Sequence, residues 1–146
     1  MEGLLGLRLL SKTGLVDLAA FAKQEFRLIY FSAGWCPPCR GFTPVLKDFY
    51  QQVNKPLKRV EVVFVSRDEN EANFQAYYKE MPWLAVEFKE QARIQALLAR
   101  FQVKTIPTLV LLHADGSEAH RDCRKEVVQS GVAVLSGWQE KLKTES

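Results

Sequence analysis

Histidine and cysteine are scarce in this chain of 146 residues: two of the first and three of the second. A structural zinc site takes four ligands, as a rule in two closely spaced pairs. Cys36 and Cys39 form one such pair, but Cys123, His113 and His120 do not form another. An iron–sulfur cluster fails for the same shortage. No metal is therefore expected. The odd cysteine count also argues against a secreted disulfide scaffold, which at this size carries more cysteines, usually paired. A reducing compartment is expected, cytoplasmic and extending to the nucleus.

Long apolar runs are missing too. None approaches the ~20 residues that span a bilayer. The opening "MEGLLGLRLLSKTG" is broken by Arg8 and has no basic start, and Glu2 stands where myristoylation needs glycine. It reads as a first strand ending in a turn at Thr13-Gly14. Nor does one sign of charge dominate. Twenty Lys and Arg are scattered among 17 Asp and Glu, for a net +3. That speaks against a nucleic-acid or membrane-surface partner. There is no internal repeat and no low-complexity tract.

What is present suits a single domain over residues 1–146. The chain is 47% hydrophobic, enough to fill one core at this length. "FRLIYF" (Phe26 to Phe31) and "VEVVFV" (Val60 to Val65) are nearly continuous apolar runs, as in strands buried on both faces. "TLVLL" (Thr108 to Leu112) is a third. Asp115-Gly116 then signals a turn, and "SEAHR" returns as an antiparallel edge strand. Helical spacing links Phe42, Val45, Leu46, Phe49, Tyr50 and Val53, then Phe74, Tyr77, Tyr78 and Met81, then Ile94, Leu97, Leu98 and Phe101, and finally Val134, Leu135, Trp138 and Leu142. A short helix is expected near Val16 to Ala22, and Asp68 with Glu71 matches a capping box. The aromatic stripes read as core rather than as a binding platform. Strands alternating with helices imply an α/β sandwich with a mixed central sheet. Its chemistry should gather at the carboxyl ends of the strands.

"YFSAGWCPPCRGFTP" (Tyr30 to Pro44) lies at such an end. With a helix starting at Cys36, unpaired N–H groups and the helix dipole favour thiolate over thiol at that sulfur. Thiolate is the attacking species in disulfide exchange. Spacing of i to i+3 puts Cys39 on the same helix face, placed to resolve the mixed disulfide that Cys36 forms. Pro37 and Pro38 fit because the first helical turn needs no N–H donors. Pro44 leaves two readings open. Either Thr43 caps a helix that starts at Pro44, which local sequence slightly favours, or a helix from near Cys36 kinks at Pro44. Redox chemistry needs the second, and Phe42 on the apolar face leans that way. A Cys–His hydrolase fits poorly, because a nucleophile with a second cysteine one turn away would tend to be lost to a disulfide whenever an oxidant is present. Cys123, in "HRDCRKE", reads as an ordinary free thiol.

"KTIPT" (Lys104 to Thr108) is the other informative stretch. Ile-Pro adopts the cis form at modest cost, which would turn the Ile106 backbone toward an extended partner.

"WCPPC" after one buried strand and "TIPT" before another resemble the thioredoxin superfamily. "WCPPCR" and "MPWLAV" are similar, more narrowly, to its nucleoredoxin and tryparedoxin branch. The resemblance covers most of the chain. It implies a thioredoxin-like three-layer sandwich, Cys36 as exposed nucleophile, Cys39 as resolving thiol, and a cis Pro107 facing them. Trp35, Pro37 and Ile106 would frame the substrate groove, with Arg67 and Glu69 at its mouth. Two departures stand out. Thioredoxins carry a buried Asp six residues before the first cysteine, where this chain has Tyr30. Water or the Tyr30 hydroxyl is left to substitute for that carboxylate. Tryparedoxins carry Trp where Arg67 stands, and are reduced by a cationic polyamine–glutathione conjugate. Arg67 should repel such a ligand and Glu69 attract it, both screened by salt.

The expected activity is thiol–disulfide exchange that reduces protein disulfides. It needs no organic cofactor, and an external thiol system of thioredoxin, glutathione or trypanothione type supplies the electrons. The competing readings are a redox-controlled binding module of nucleoredoxin type, for which Arg67 and "HRDCRKE" would rim the groove, and an electron donor to a peroxidase. A monomer is expected.

Overall fold

The computed structural model describes residues 1–143. Its strands are β1 (Arg8–Ser11), β2 (Gly14–Asp17), β3 (Phe26–Ser32), β4 (Val60–Ser66), β5 (Leu84–Ala85), β6 (Thr108–Leu112) and β7 (Glu118–His120). Its helices are α1 (Glu2–Leu5), α2 (Ala19–Ala22), α3 (Pro37–Val53), α4 (Glu71–Tyr78), α5 (Gln91–Arg100), α6 (Cys123–Ser130) and α7 (Val134–Lys143), with a 3-10 turn at Gly131–Ala133.

One seven-stranded sheet has the order β2-β1-β5-β4-β3-β6-β7. β3 and β4 are parallel neighbours at its centre, and every residue of both is buried. Covering on both faces is why the two segments read as unbroken apolar runs rather than as alternating ones. β6 lies antiparallel on the other side of β3, with Tyr30 opposite Leu109, and β7 turns back along β6. Gly116 takes φ +95° in that turn, a conformation that L side chains rarely adopt.

Two apolar clusters, one on each face, make the fold three-layered. One packs Phe42, Leu46 and Phe49 of α3, Phe74 and Tyr77 of α4, Val127 of α6 and Trp138 of α7 against the sheet. The other packs Leu5 of α1, Phe21 of α2, and Ile94 and Leu97 of α5. Among the described residues, no helix is long and apolar enough to cross a membrane.

α3 runs unbroken through Pro44. A proline inside a helix costs about 3 kcal/mol. Five of the large apolar side chains of this helix are buried, and each contributes roughly 1.5–3 kcal/mol. Burial outweighs the proline, so the Thr43 cap is not used.

Other local expectations gave way to distant partners. The opening segment is not all strand: residues Glu2–Leu5 are helical and bury Leu5, and the strand begins at Arg8. Val16 and Asp17 belong to β2, so the next helix shrinks to Ala19–Ala22, its first N–H bonded to the Asp17 carboxylate at 2.8 Å. The cap of α4 is Asn70, whose side chain accepts from Asn73 N–H at 2.8 Å, not Asp68. β5 and α6 were not foreseen. β5 is two residues long, and α6 buries only Cys123 and Val127, too sparse a stripe to read as helical.

Candidate active site

β3 delivers the chain to the end of the sheet at Ser32, and four residues later Cys36 caps α3 in an extended conformation, φ −96° and ψ 111°. The Cys36 sulfur accepts the Cys39 N–H at 3.4 Å, one of the donors that a helix start leaves free. The Cys39 thiol points at the same sulfur, 2.6 Å away, and both cysteines are free thiols. Cys39 is fully buried and Cys36 is 5% exposed. Burial, and then its hydrogen bond to Cys36, push the Cys39 thiol up to about 11. Pro37 and Pro38 occupy the first helical positions, exposed to solvent.

The Ile106–Pro107 bond is cis. The Ile106 carbonyl is not left free: it accepts from the Cys36 thiol at 3.8 Å, and Ile106 packs against the small cluster of Ala33, Cys36 and Cys39. Trp35 is 58% exposed, and its indole N–H donates to the Arg67 carbonyl at 3.0 Å. That bond holds the indole beside the nucleophile while its ring stays open to solvent. Arg67 and Glu69 are exposed on the connection from β4 to α4.

Asp68, between them, has a structural role that its sequence context did not reveal. Its carboxylate is buried and accepts the Gly34 N–H at 2.8 Å and the Ser66 hydroxyl at 2.5 Å. It thereby pins the loop that carries Trp35 and Cys36. Gly34 is closely enclosed: a Cβ there would lie 3.2 Å from the Tyr77 Cβ and 3.3 Å from the Asp68 carboxylate. Arg40 closes the loop from outside, donating to the Gly34 carbonyl at 3.2 Å and pairing with Glu80 at 3.5 Å. A cavity of about 380 Å³ opens beside Trp35, between Arg40, Asp68, Tyr77 and Glu80.

Three side chains of "HRDCRKE" are engaged by partners of their own. His120 pairs with Glu126 at 2.9 Å, and Glu126 also accepts the Trp138 indole N–H at 2.8 Å. Arg121 donates to Glu118 and to the Phe101 and Gln102 carbonyls. Cys123 lies in the apolar core, where burial pushes its thiol upward.

A family model described as thioredoxin-like matches residues 24–118, a span that contains Cys36, Cys39 and Pro107. The chain belongs to the thioredoxin-like family. Within this family it is 45% identical to a tryparedoxin of Trypanosoma brucei brucei over 122 residues, 83% of each chain. It is 42% identical to a nucleoredoxin of Danio rerio over 75% of its own length but only 26% of the relative's. Among solved structures, tryparedoxin from Trypanosoma brucei superposes with a TM-score of 0.83, at 41% identity, over 90% of this chain and 91% of that one. Tryparedoxin II in complex with glutathionylspermidine superposes at 0.79, with 39% identity, over 85% and 86%. Like its relatives, this thioredoxin-like chain is a thiol–disulfide oxidoreductase.

Proposed function

We propose that the chain reduces disulfides of protein clients, with Cys36 as nucleophile and Cys39 as resolving thiol. One observation carries the reading: the Cys36 sulfur sits at the start of α3, receives the Cys39 N–H, and has the Cys39 thiol in contact with it. Cys36 attacks one sulfur of the client disulfide, and the bond pair leaves with the other. Cys39 then displaces the client from Cys36, closing the internal disulfide. An external thiol returns the pair to its reduced state. Trp35 and Ile106 flank the nucleophile and offer the client apolar surface, with the cis Pro107 behind them. Insulin reduction by dithiothreitol should accelerate with the native protein and not with Cys36→Ser; equal rates would refute the assignment.

A second reading, an electron carrier to a peroxidase, is favoured by the length of the match to tryparedoxin, 83% of that relative against 26% of the nucleoredoxin. Hydrogen peroxide consumption with a peroxiredoxin and this protein tests it. The reductant we propose is a glutathione-type thiol of low positive charge, because Arg67 is exposed and its backbone carbonyl is the acceptor for the Trp35 indole next to Cys36. Against a redox-gated binding module, Cys39→Ser should trap many thiol-linked clients rather than one non-covalent partner.

A further inference from the structure

Behind Cys39 lie four hydroxyl groups that the exchange reaction, as described, does not use. Tyr30 and Ser32 come from β3, Thr43 from α3 and Tyr77 from α4. Tyr30 Oη and Thr43 Oγ1 are 2.7 Å apart, Thr43 Oγ1 and Tyr77 Oη 2.6 Å, and Tyr77 Oη and Ser32 Oγ 2.7 Å. Ser32 leads into Ala33, which packs with Cys36 and Cys39, and the Ser32 hydroxyl acts on the Cys39 thiol against the upward push of burial. All four residues are at most 3% exposed. An apolar core would be cheaper to build here, since each buried hydroxyl needs a partner to offset its lost hydration. Phe, Val and Ala occupy comparable volumes without that requirement. The hydroxyls also form one connected run, and the run ends beside a reactive sulfur.

A run of four hydroxyls joined by three hydrogen bonds has one proton left over. With every O–H turned one way, the spare proton sits on Ser32, free to turn to Cys39; turned the other way, it sits on Tyr30. Rotation about C–O bonds switches between the two states without moving the backbone. Both tyrosines are pushed above their ordinary range by burial, so they remain neutral donors.

We infer that Ser32, Tyr77, Thr43 and Tyr30 are positioning residues whose hydroxyl chain turns toward Cys39 and stabilises its thiolate when the mixed disulfide is resolved. The inference rests on Cys36 as nucleophile and Cys39 as resolving thiol. In that step the Cys39 thiolate attacks the Cys36 sulfur and the Cys36–Cys39 bond forms. The bond from Cys36 to the client breaks, and the electron pair leaves on the client sulfur. That sulfur takes up a proton equal to the one Cys39 released. The chain neither gains nor loses a proton; it supplies hydrogen bonds to a charge that burial otherwise disfavours. The groups acting on Cys39 besides burial are Cys36 on its own helix, Ser32 and the Ala33 backbone on the β3 side, and it faces Tyr77 from α4. A neutral chain thus stands where a carboxylate would add a titrating charge.

The test mixes reduced protein with glutathione disulfide in quenched flow, and mass spectrometry follows the Cys36–glutathione adduct from pH 6 to 10. Tyr77→Phe should resolve the adduct up to about tenfold more slowly at pH 7, the loss of the hydrogen bond through which Tyr77 turns the Ser32 hydroxyl toward Cys39. Its rate–pH curve should shift about one unit upward, while adduct formation stays at the wild-type rate. Ser32→Thr, which keeps the hydroxyl, should stay near wild type. Thr43→Val, which cuts the chain one link further from the sulfur, gives a smaller shift and replaces Tyr77→Phe if that variant does not fold. Wild-type resolution and an unshifted pH curve in both Tyr77→Phe and Thr43→Val would overturn the inference, as would slowing with no shift of the curve. Cys39→Ser separates the two levels. It must accumulate the adduct on Cys36; if it does not, the cysteine roles fail rather than the hydroxyl chain.

Discussion

Removing the Asp68 carboxylate should loosen the dithiol loop without touching either sulfur. Asp68→Ala deletes the acceptor of the Gly34 N–H at 2.8 Å and of the Ser66 hydroxyl at 2.5 Å. Hydrogen bonds to a charged group contribute about 1.5–3 kcal/mol each. Burying the carboxylate, which is 9% exposed, costs part of that, so the net loss should be about 3 kcal/mol. At this chain length about 3 kcal/mol lowers the melting temperature by roughly 6–12 °C. Asp68→Asn keeps a neutral acceptor for Gly34 and should lose about half as much. Urea unfolding of reduced protein measures both variants, and insulin reduction at a temperature where each is folded measures the functional share. Activity should fall with Asp68→Ala because Gly34 leads directly into Trp35 and Cys36. A loss below about 0.5 kcal/mol for Asp68→Ala, or equal losses for Ala and Asn, would refute the reasoning.

Three further outcomes follow from the same geometry. Gly34→Ala forces a Cβ within 3.2 Å of Tyr77 and should cost about 1–3 kcal/mol, read by urea unfolding; a neutral effect would mean that the loop yields freely. Because burial raises the Cys39 thiol from 9.0 to about 11, the unfolded chain ionises first as pH rises. The stability of the reduced protein should therefore fall between about pH 9 and 11 and hold below that window. In a Cys123→Ser background, Cys39→Ala should flatten this decline; an unchanged slope would deny the shift. Arg67→Glu should raise the rate with a polyamine–glutathione conjugate several-fold relative to glutathione, and salt near 1 M, where screening reaches about 3 Å, should erase the difference. No change at low salt would remove Arg67 from the groove mouth.

Strands and chemistry were legible in the residues themselves. Unbroken apolar runs at Phe26, Val60 and Thr108 marked strands covered on both sides, because a strand with a wet face must alternate. The Cys36–Cys39 spacing and the proline before β6 were readable for a similar reason: each depends on neighbours within a turn or two. Polar residues inside buried elements were the available signal for the rest. Ser32 and Thr43 interrupt apolar stretches, but Tyr77 passed as one more member of a core stripe, since a tyrosine ring fills space whether or not its hydroxyl has a task.

Local pattern alone therefore determined the three long strands, the four longer apolar helix faces and the dithiol with its neighbouring proline. Tertiary structure decided the cases where two local choices were close in energy. Pro44 stays inside α3 because the sheet buries five large side chains of that helix, a gain invisible to the proline's neighbours. Asp68 leaves the cap of α4 to Asn70 because Gly34, 34 residues earlier, offers it a buried N–H. Tyr30, Thr43, Tyr77 and Ser32 meet behind Cys39 only because two helices pack over the same strand end. Hydrogen bonds and burial between distant segments carry no periodicity, so only the folded chain brings them together.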